Sequence, residues 1–98
     1  MNIYESVEFN DERPAVVSIH KTNNINYLAI GLHSGQLMKK HFTKVPTILT
    51  VLEGLISFHI NEETFQLKKG DVFHIPPNIE HEVRGLDKAI FTLTQEYS

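Results

Sequence analysis

Ninety-eight residues with a formal net charge of −3, six histidines and no cysteine set the frame. They allow one domain with a single modest core, exclude disulfides, thiolate metal sites and cysteine nucleophiles, and provide no basic face for nucleic acid. No apolar run approaches the roughly 20 residues a bilayer span needs, and residues 1–5 have neither the basic start nor the apolar stretch of a signal peptide, so the expected setting is a reducing cytoplasm.

From residue 15 onward the chain reads as short apolar or alternating runs separated by turn residues, the pattern of an all-β sandwich or barrel. The predicted strands are 15–20, 27–32, 48–52, 55–60, 64–67, 72–75, 82–84 and 89–94. Asn23-Asn24, Ser34-Gly35, Asn61-Glu62 and Gly85-Leu86-Asp87 punctuate them. Lys68-Lys69-Gly70-Asp71 suits a type II turn in which Gly70 takes a positive φ, and Pro76-Pro77 ends its strand because proline donates nothing to a ladder. No stretch of ten or more residues has a 3.6-residue apolar period, so almost no helix is expected.

Alternation assigns faces. Ile56, Phe58 and Ile60 share one face of their strand, which puts Ser57 and His59 on the other. Leu28, Ile30 and Leu32 share a face and leave His33 opposite; Phe65 and Leu67 point inward, with Thr64, Gln66 and Lys68 outward. His20, His33 and His59 are therefore expected on outward, solvent-facing positions. Glu80 and Glu82 flank His81 and, in an extended segment, both point away from it. Glu62-Glu63 reads as a solvated hairpin tip, and Met38 and Phe42 as core or rim packing beside His41.

Two spaced motifs stand out against this background. Gly35, His41, Thr43, Thr47 and Gly54 are separated by five, one, three and six residues; Gly70, Pro76, Asn78, His81 and Gly85 by five, one, two and three. Both resemble the signature motifs of the cupin superfamily, whose small β-barrels hold a metal or an organic ligand in the barrel mouth. The resemblance spans residues 35–85, about half the chain, and implies a single-domain jelly-roll barrel over residues 1–98. The residue types depart from the family at four places: Thr43 replaces a histidine, Thr47 a glutamate, Asn78 a glycine and Gly85 an asparagine.

Carried over position by position, the resemblance implies a ligand pocket of His41, Thr43, Thr47 and His81. A full family site offers three imidazoles and a carboxylate to a divalent ion; this chain offers two imidazoles and two neutral hydroxyls. Any zinc, nickel, iron or manganese is therefore expected to be weakly held, by His41, His81 and, as the best replacement ligand, His74, whose run Val72-Phe73-His74-Ile75 is apolar on both faces and so hides its direction. The alternative leaves His41 and His81 partly buried, uncharged and hydrogen-bonded to the threonines or to water.

Three functional classes stay open: a barrel binding a small polar molecule, which the threonines favour; a metal-dependent enzyme of dioxygenase or isomerase type; and a non-catalytic structural protein with a vestigial pocket. Neither Gly-x-Ser-x-Gly, a phosphate-cradling loop nor His-Glu-x-x-His occurs. A homodimer is expected, because cupins of this kind commonly pair through a sheet edge, and residues 1–32 hold the apolar positions Val16, Val17 and Ile19 for such a contact.

Overall fold

The computed structural model describes residues 1–97. One short helix, α1 (Ile3–Ser6), precedes nine strands among these residues: β1 (Ala15–Lys21), β2 (Ile25–Leu32), β3 (Leu37–His41), β4 (Thr47–Glu53), β5 (Leu55–Ile60), β6 (Glu63–Lys68), β7 (Val72–Ile75), β8 (His81–Gly85) and β9 (Ala89–Glu96). The larger sheet runs β1-β2-β9-β4-β7 and the smaller β3-β8-β5-β6, with every pairing antiparallel. The all-β jelly roll expected from the sequence is the observed fold.

Register turns the alternation of each strand into rows across the sheets. In the larger sheet Leu28, Leu93, Leu49 and Phe73 are successive partners, and one step further along come Ile30, Phe91 and Val51. In the smaller sheet Met38, Val83, Phe58 and Phe65 form the matching row, followed by Gly85, Ile56 and Leu67. These inward faces make the main core, in which Ile56, Phe58, Leu49 and Phe91 are wholly buried. The inward assignments of Ile56, Phe58, Ile60, Phe65 and Leu67 hold.

A strand absent from the sequence reading, β3, carries His41. Lys39 and Lys40 are adjacent and exposed, which hides the alternation, and the pairing of β3 with β8 slips between Met38 and His41. The bulge re-aims the end of the strand, and the two lysines guard a sheet edge that pairs on one side only.

The outer face of the larger sheet is covered too. Val7, Ala15, Ala29 and Ile90 form a second cluster, with Ile3, Phe9, Val17 and Ile19 packed against it. Gly31 makes room for this N-terminal arm, since a Cβ there would collide with Val7 and crowd Phe9. The arm also changes His33, which was expected to be solvent-exposed. It is half-buried, with its ring 5.4 Å from that of Phe9 and its Nε2 3.1 Å from the Asp11 carboxylate. His20 is exposed, as its face requires, while His59 faces outward but is half-buried, its Nδ1 2.9 Å from the Thr64 hydroxyl. No helix among the described residues is long and apolar enough to cross a membrane.

Candidate functional site

One further row lies above the apolar ones, at the end of the barrel where β3, β5, β7 and β9 finish. In the larger sheet it runs Asn26, Gln95, Thr47, Ile75; in the smaller it runs His41, His81, Ile60, Glu63. Thr47, His81 and Gln95 are buried polar residues, each capping an otherwise apolar strand face. Two loops close over this end, 42–46 between β3 and β4 and 76–80 between β7 and β8. They are tied together where the Asn78 amide donates to the Thr43 carbonyl at 2.7 Å.

His41 and His81 are cross-strand partners with ring centroids 4.5 Å apart and a 60° tilt. Each ring is anchored by the carbonyl two residues back: His41 Nδ1 lies 2.9 Å from the Lys39 oxygen and His81 Nδ1 3.0 Å from the Ile79 oxygen. A carbonyl oxygen only accepts, so in the neutral rings the proton sits on Nδ1 and each Nε2 keeps its lone pair. Burial lowers the pKa of His81; the hydrogen bond to Ile79 works against that, and the neighbouring His41 adds to it. His81 is thus held as neutral imidazole, its ring 5.6 Å from that of Phe58.

The threonines also converge. The Thr43 hydroxyl donates to the Val45 carbonyl at 2.9 Å, Thr47 reaches the same carbonyl at 3.4 Å, and the two hydroxyl oxygens are 3.3 Å apart. Their protons are engaged within the loop, which leaves neutral oxygens and no charge to compensate a cation.

His74 does not join this group. Phe73 and Ile75 pack toward the core, so His74 points outward beside Val72, is exposed, and pairs in register with Ile48, itself a surface residue. It lines a separate cleft of about 160 Å³ with Ile60, Asn61, Glu63, Phe65, Phe73 and Pro76. Of the three histidines expected from the sequence to share an ion, His41 and His81 lie together and His74 lies apart from them. Among the described residues no cluster of three or more His, Cys, Asp or Glu side chains is placed to hold a metal ion. Glu80 is exposed and Glu82 pairs with the outward His59, so neither supplies a carboxylate to the row. Met38 packs on the core and Phe42 is exposed.

Sequence reasoning missed Asn26 and Gln95. Asn26 continues the period-two series Leu28, Ile30, Leu32, and Gln95 continues Phe91 and Leu93. Extending both strands by one alternation would have exposed the signal.

A family model described as "Cupin domain" matches residues 30–94. Over 53 residues the chain is 36% identical to the uncharacterized protein MJ1618 of Methanocaldococcus jannaschii; the match covers 54% of this chain and 42% of that protein, so the chain spans less than half of this relative's length. Among solved structures, TT1209 from Thermus thermophilus superposes with a TM-score of 0.90 at 21% identity, covering 98% of this chain and 94% of the other. An RmlC-like cupin from Desulfovibrio desulfuricans gives 0.89 at 23% identity over 98% and 93%. At such identities the likeness establishes the shared fold.

Proposed function

The chain belongs to the cupin domain family, and from that premise we propose that it binds a small polar molecule in the mouth of its barrel, through His41, Thr43, Thr47 and His81. One observation carries the reading: two imidazole rings 4.5 Å apart, each engaged through Nδ1 by the backbone carbonyl two residues back, keep Nε2 free of any hydrogen bond among the described residues, next to an apolar floor. Fixed polar groups over an apolar surface are the usual composition of a small-ligand site. Ile60, the register partner of His81, also borders the apolar cleft of Phe65, Phe73 and Pro76, so a ligand held at the histidines has a neighbouring surface for its apolar part.

A thermal-shift screen of small polar compounds tests this. Compounds that stabilise the wild type should lose most of their effect in His41→Gln and His81→Gln. Stabilisation that both variants retain in full moves the site elsewhere.

The same Nε2 pair favours a second reading, a divalent transition metal, because metal-bound histidines typically donate their other N–H to a carbonyl. The donor set does not fit a tightly held ion: the hydroxyls beside the pair are neutral and already bonded within their loop, and Glu63, the one carboxylate of the row, is exposed on the edge strand β6 and forms no ligand cluster with the two histidines among the described residues. Metal binding here is weak and proton-sensitive, and catalysis through an ion lacks the carboxylate that the family pattern supplies. We further propose a homodimer formed through the β1 edge, where Val16 is 61% exposed, working in a reducing cytoplasm in keeping with the absence of cysteine.

A further inference from the structure

The half of the mouth opposite the histidines is built from two carboxamides and a phenol. Asn26 Nδ2 donates to Gln95 Oε1 at 3.1 Å, and the Tyr97 hydroxyl donates to the same oxygen at 3.2 Å. Both lone pairs of Gln95 Oε1 are thereby occupied, which fixes the orientation of its carboxamide. Tyr97 is itself held, because its backbone amide donates to the Asn24 carbonyl at 2.6 Å.

Two groups in this arrangement are left over. Asn26 Oδ1 is buried and has no hydrogen-bond partner, and the Gln95 Nε2 hydrogens have none among the described residues. Buried polar atoms are nearly always bonded, so an orphan of this kind needs an explanation. The orphan sits in the row that Thr47 continues, at the same end of the barrel as His41 and His81. An acceptor and a donor side by side fit a ligand group that both donates and accepts, a hydroxyl or an amide. No lysine or arginine belongs to either row of the mouth, so a carboxylate or phosphate placed there would meet an acceptor oxygen and no countercharge.

We propose that Asn26, Gln95 and Tyr97 form a second, uncharged half of the binding site, which takes a neutral hydroxyl- or amide-bearing group of the ligand while His41 and His81 hold its other end. Asn26 and Gln95 touch the ligand; Tyr97 is a positioning residue that locks Gln95. The inference rests on the proposed mouth site, and its failure is separable from the failure of that reading.

The test is a titration of the ¹⁵N-labelled full chain with four probes: glucose, acetamide, acetate and methyl phosphate. The side-chain NH2 signals of Asn26 and Gln95 and the imidazole signals of His41 and His81 are followed together. Glucose or acetamide should shift both sets, while acetate and methyl phosphate leave the NH2 signals in place. In Gln95→Glu, which keeps an acceptor for Asn26 and Tyr97 but loses the free N–H donors, the neutral probe should bind about tenfold more weakly. Tyr97→Phe, on the exposed side of the relay, should weaken it less and broaden the Gln95 NH2 signals. Shifts confined to the imidazoles remove the carboxamide half and leave the mouth site standing. Acetate or methyl phosphate moving the NH2 signals overturns the neutral class, and silence of both sets with every probe overturns the subsite and the mouth site together. Unchanged affinity in both variants also overturns the subsite.

Discussion

At the base of the barrel, where β2, β4, β6 and β8 end, the left-handed backbone positions are Gly35 (φ 87°), Gly54 (φ 81°) and Gly70 (φ 91°). At the mouth they are Asn61 (φ 51°), Glu62 (φ 64°) and Asn78 (φ 63°). Glycine takes such angles without steric cost, whereas a residue with a Cβ is strained there, asparagine least. The interior differs in the same sense: the rows nearer the base are wholly apolar, and the row at the mouth carries Asn26, His41, Thr47, His81 and Gln95. One end is built for stability. The other accepts buried polar groups and strained turns in a fold whose apolar floor tolerates them, the distribution expected when a site is placed on a rigid scaffold.

If the base and floor carry the stability, the largest effect comes from opening the floor. Phe58 is wholly buried, 4.7 Å from the Phe73 ring, and sits beneath His81. Phe58→Ala should cost roughly 3–5 kcal/mol in denaturant unfolding. Thr47→Val, which keeps the volume and removes one hydroxyl of the mouth row, should cost under about 1.5 kcal/mol. Similar losses for the two would mean that the mouth row carries as much of the stability as the floor.

A second break tests whether the mouth row converges on one point. Thr47→Glu returns a carboxylate to the position the family uses, and calorimetry with zinc or nickel should show tighter binding than wild type by about tenfold or more. His81→Ala should abolish binding, and the outward His59→Ala should leave it unchanged. Equal losses at His59 and His81 would misplace the site, and an inert Thr47→Glu would mean that the row does not close around an ion. Affinity should fall as pH drops, because imidazolium does not ligate.

Proton linkage gives a third and smaller effect. The pKa of folded His81 lies below its ordinary 6.5, chiefly through burial. Above about pH 6.5 the ring is neutral in both folded and unfolded chains and contributes nothing to the pH dependence. As pH falls below that value the unfolded chain takes up a proton that the folded chain resists, so stability declines until the folded pKa is passed. Denaturation midpoints should therefore drop between pH 7 and 5, with a shallower slope in His81→Gln. An unchanged slope would show that the buried imidazole is not the group responsible.

Much of this architecture was legible in the sequence, and the failures have physical causes. Motif spacing brought His41, Thr43, Thr47 and His81 to one end of one barrel, because each spacing fixes a loop length between strands. Alternation located the floor residues Ile56, Phe58 and Leu67. It was blind to His74, since Val72 and Phe73 are both apolar although only Phe73 packs inward. It missed β3, where adjacent lysines and a bulge remove the period. His33 was misread because its environment is supplied by Phe9 and Asp11, distant in sequence. Asn26 and Gln95 become a pair only through the β2–β9 register, a non-local property that no single strand encodes.

The smallest effect sharpens the contrast between the ends. Asn61 and Glu62 are the two central residues of the β5–β6 hairpin, and both have positive φ, which is the type I′ geometry favoured between right-twisted strands. Asparagine suits the first position and glycine the second; glutamate at the second holds a left-handed conformation against its own Cβ. Glu62→Gly should therefore stabilise the protein by about 1 kcal/mol, read as a higher denaturant midpoint at unchanged slope. The reverse change at the base, Gly70→Glu, places the same side chain at φ 91° with open space around it and should destabilise by about as much. If Glu62→Gly instead lowers stability or weakens binding at the mouth, the Glu62 side chain does more than occupy a strained turn, and the cleft it borders through Asn61 and Glu63 becomes part of the site.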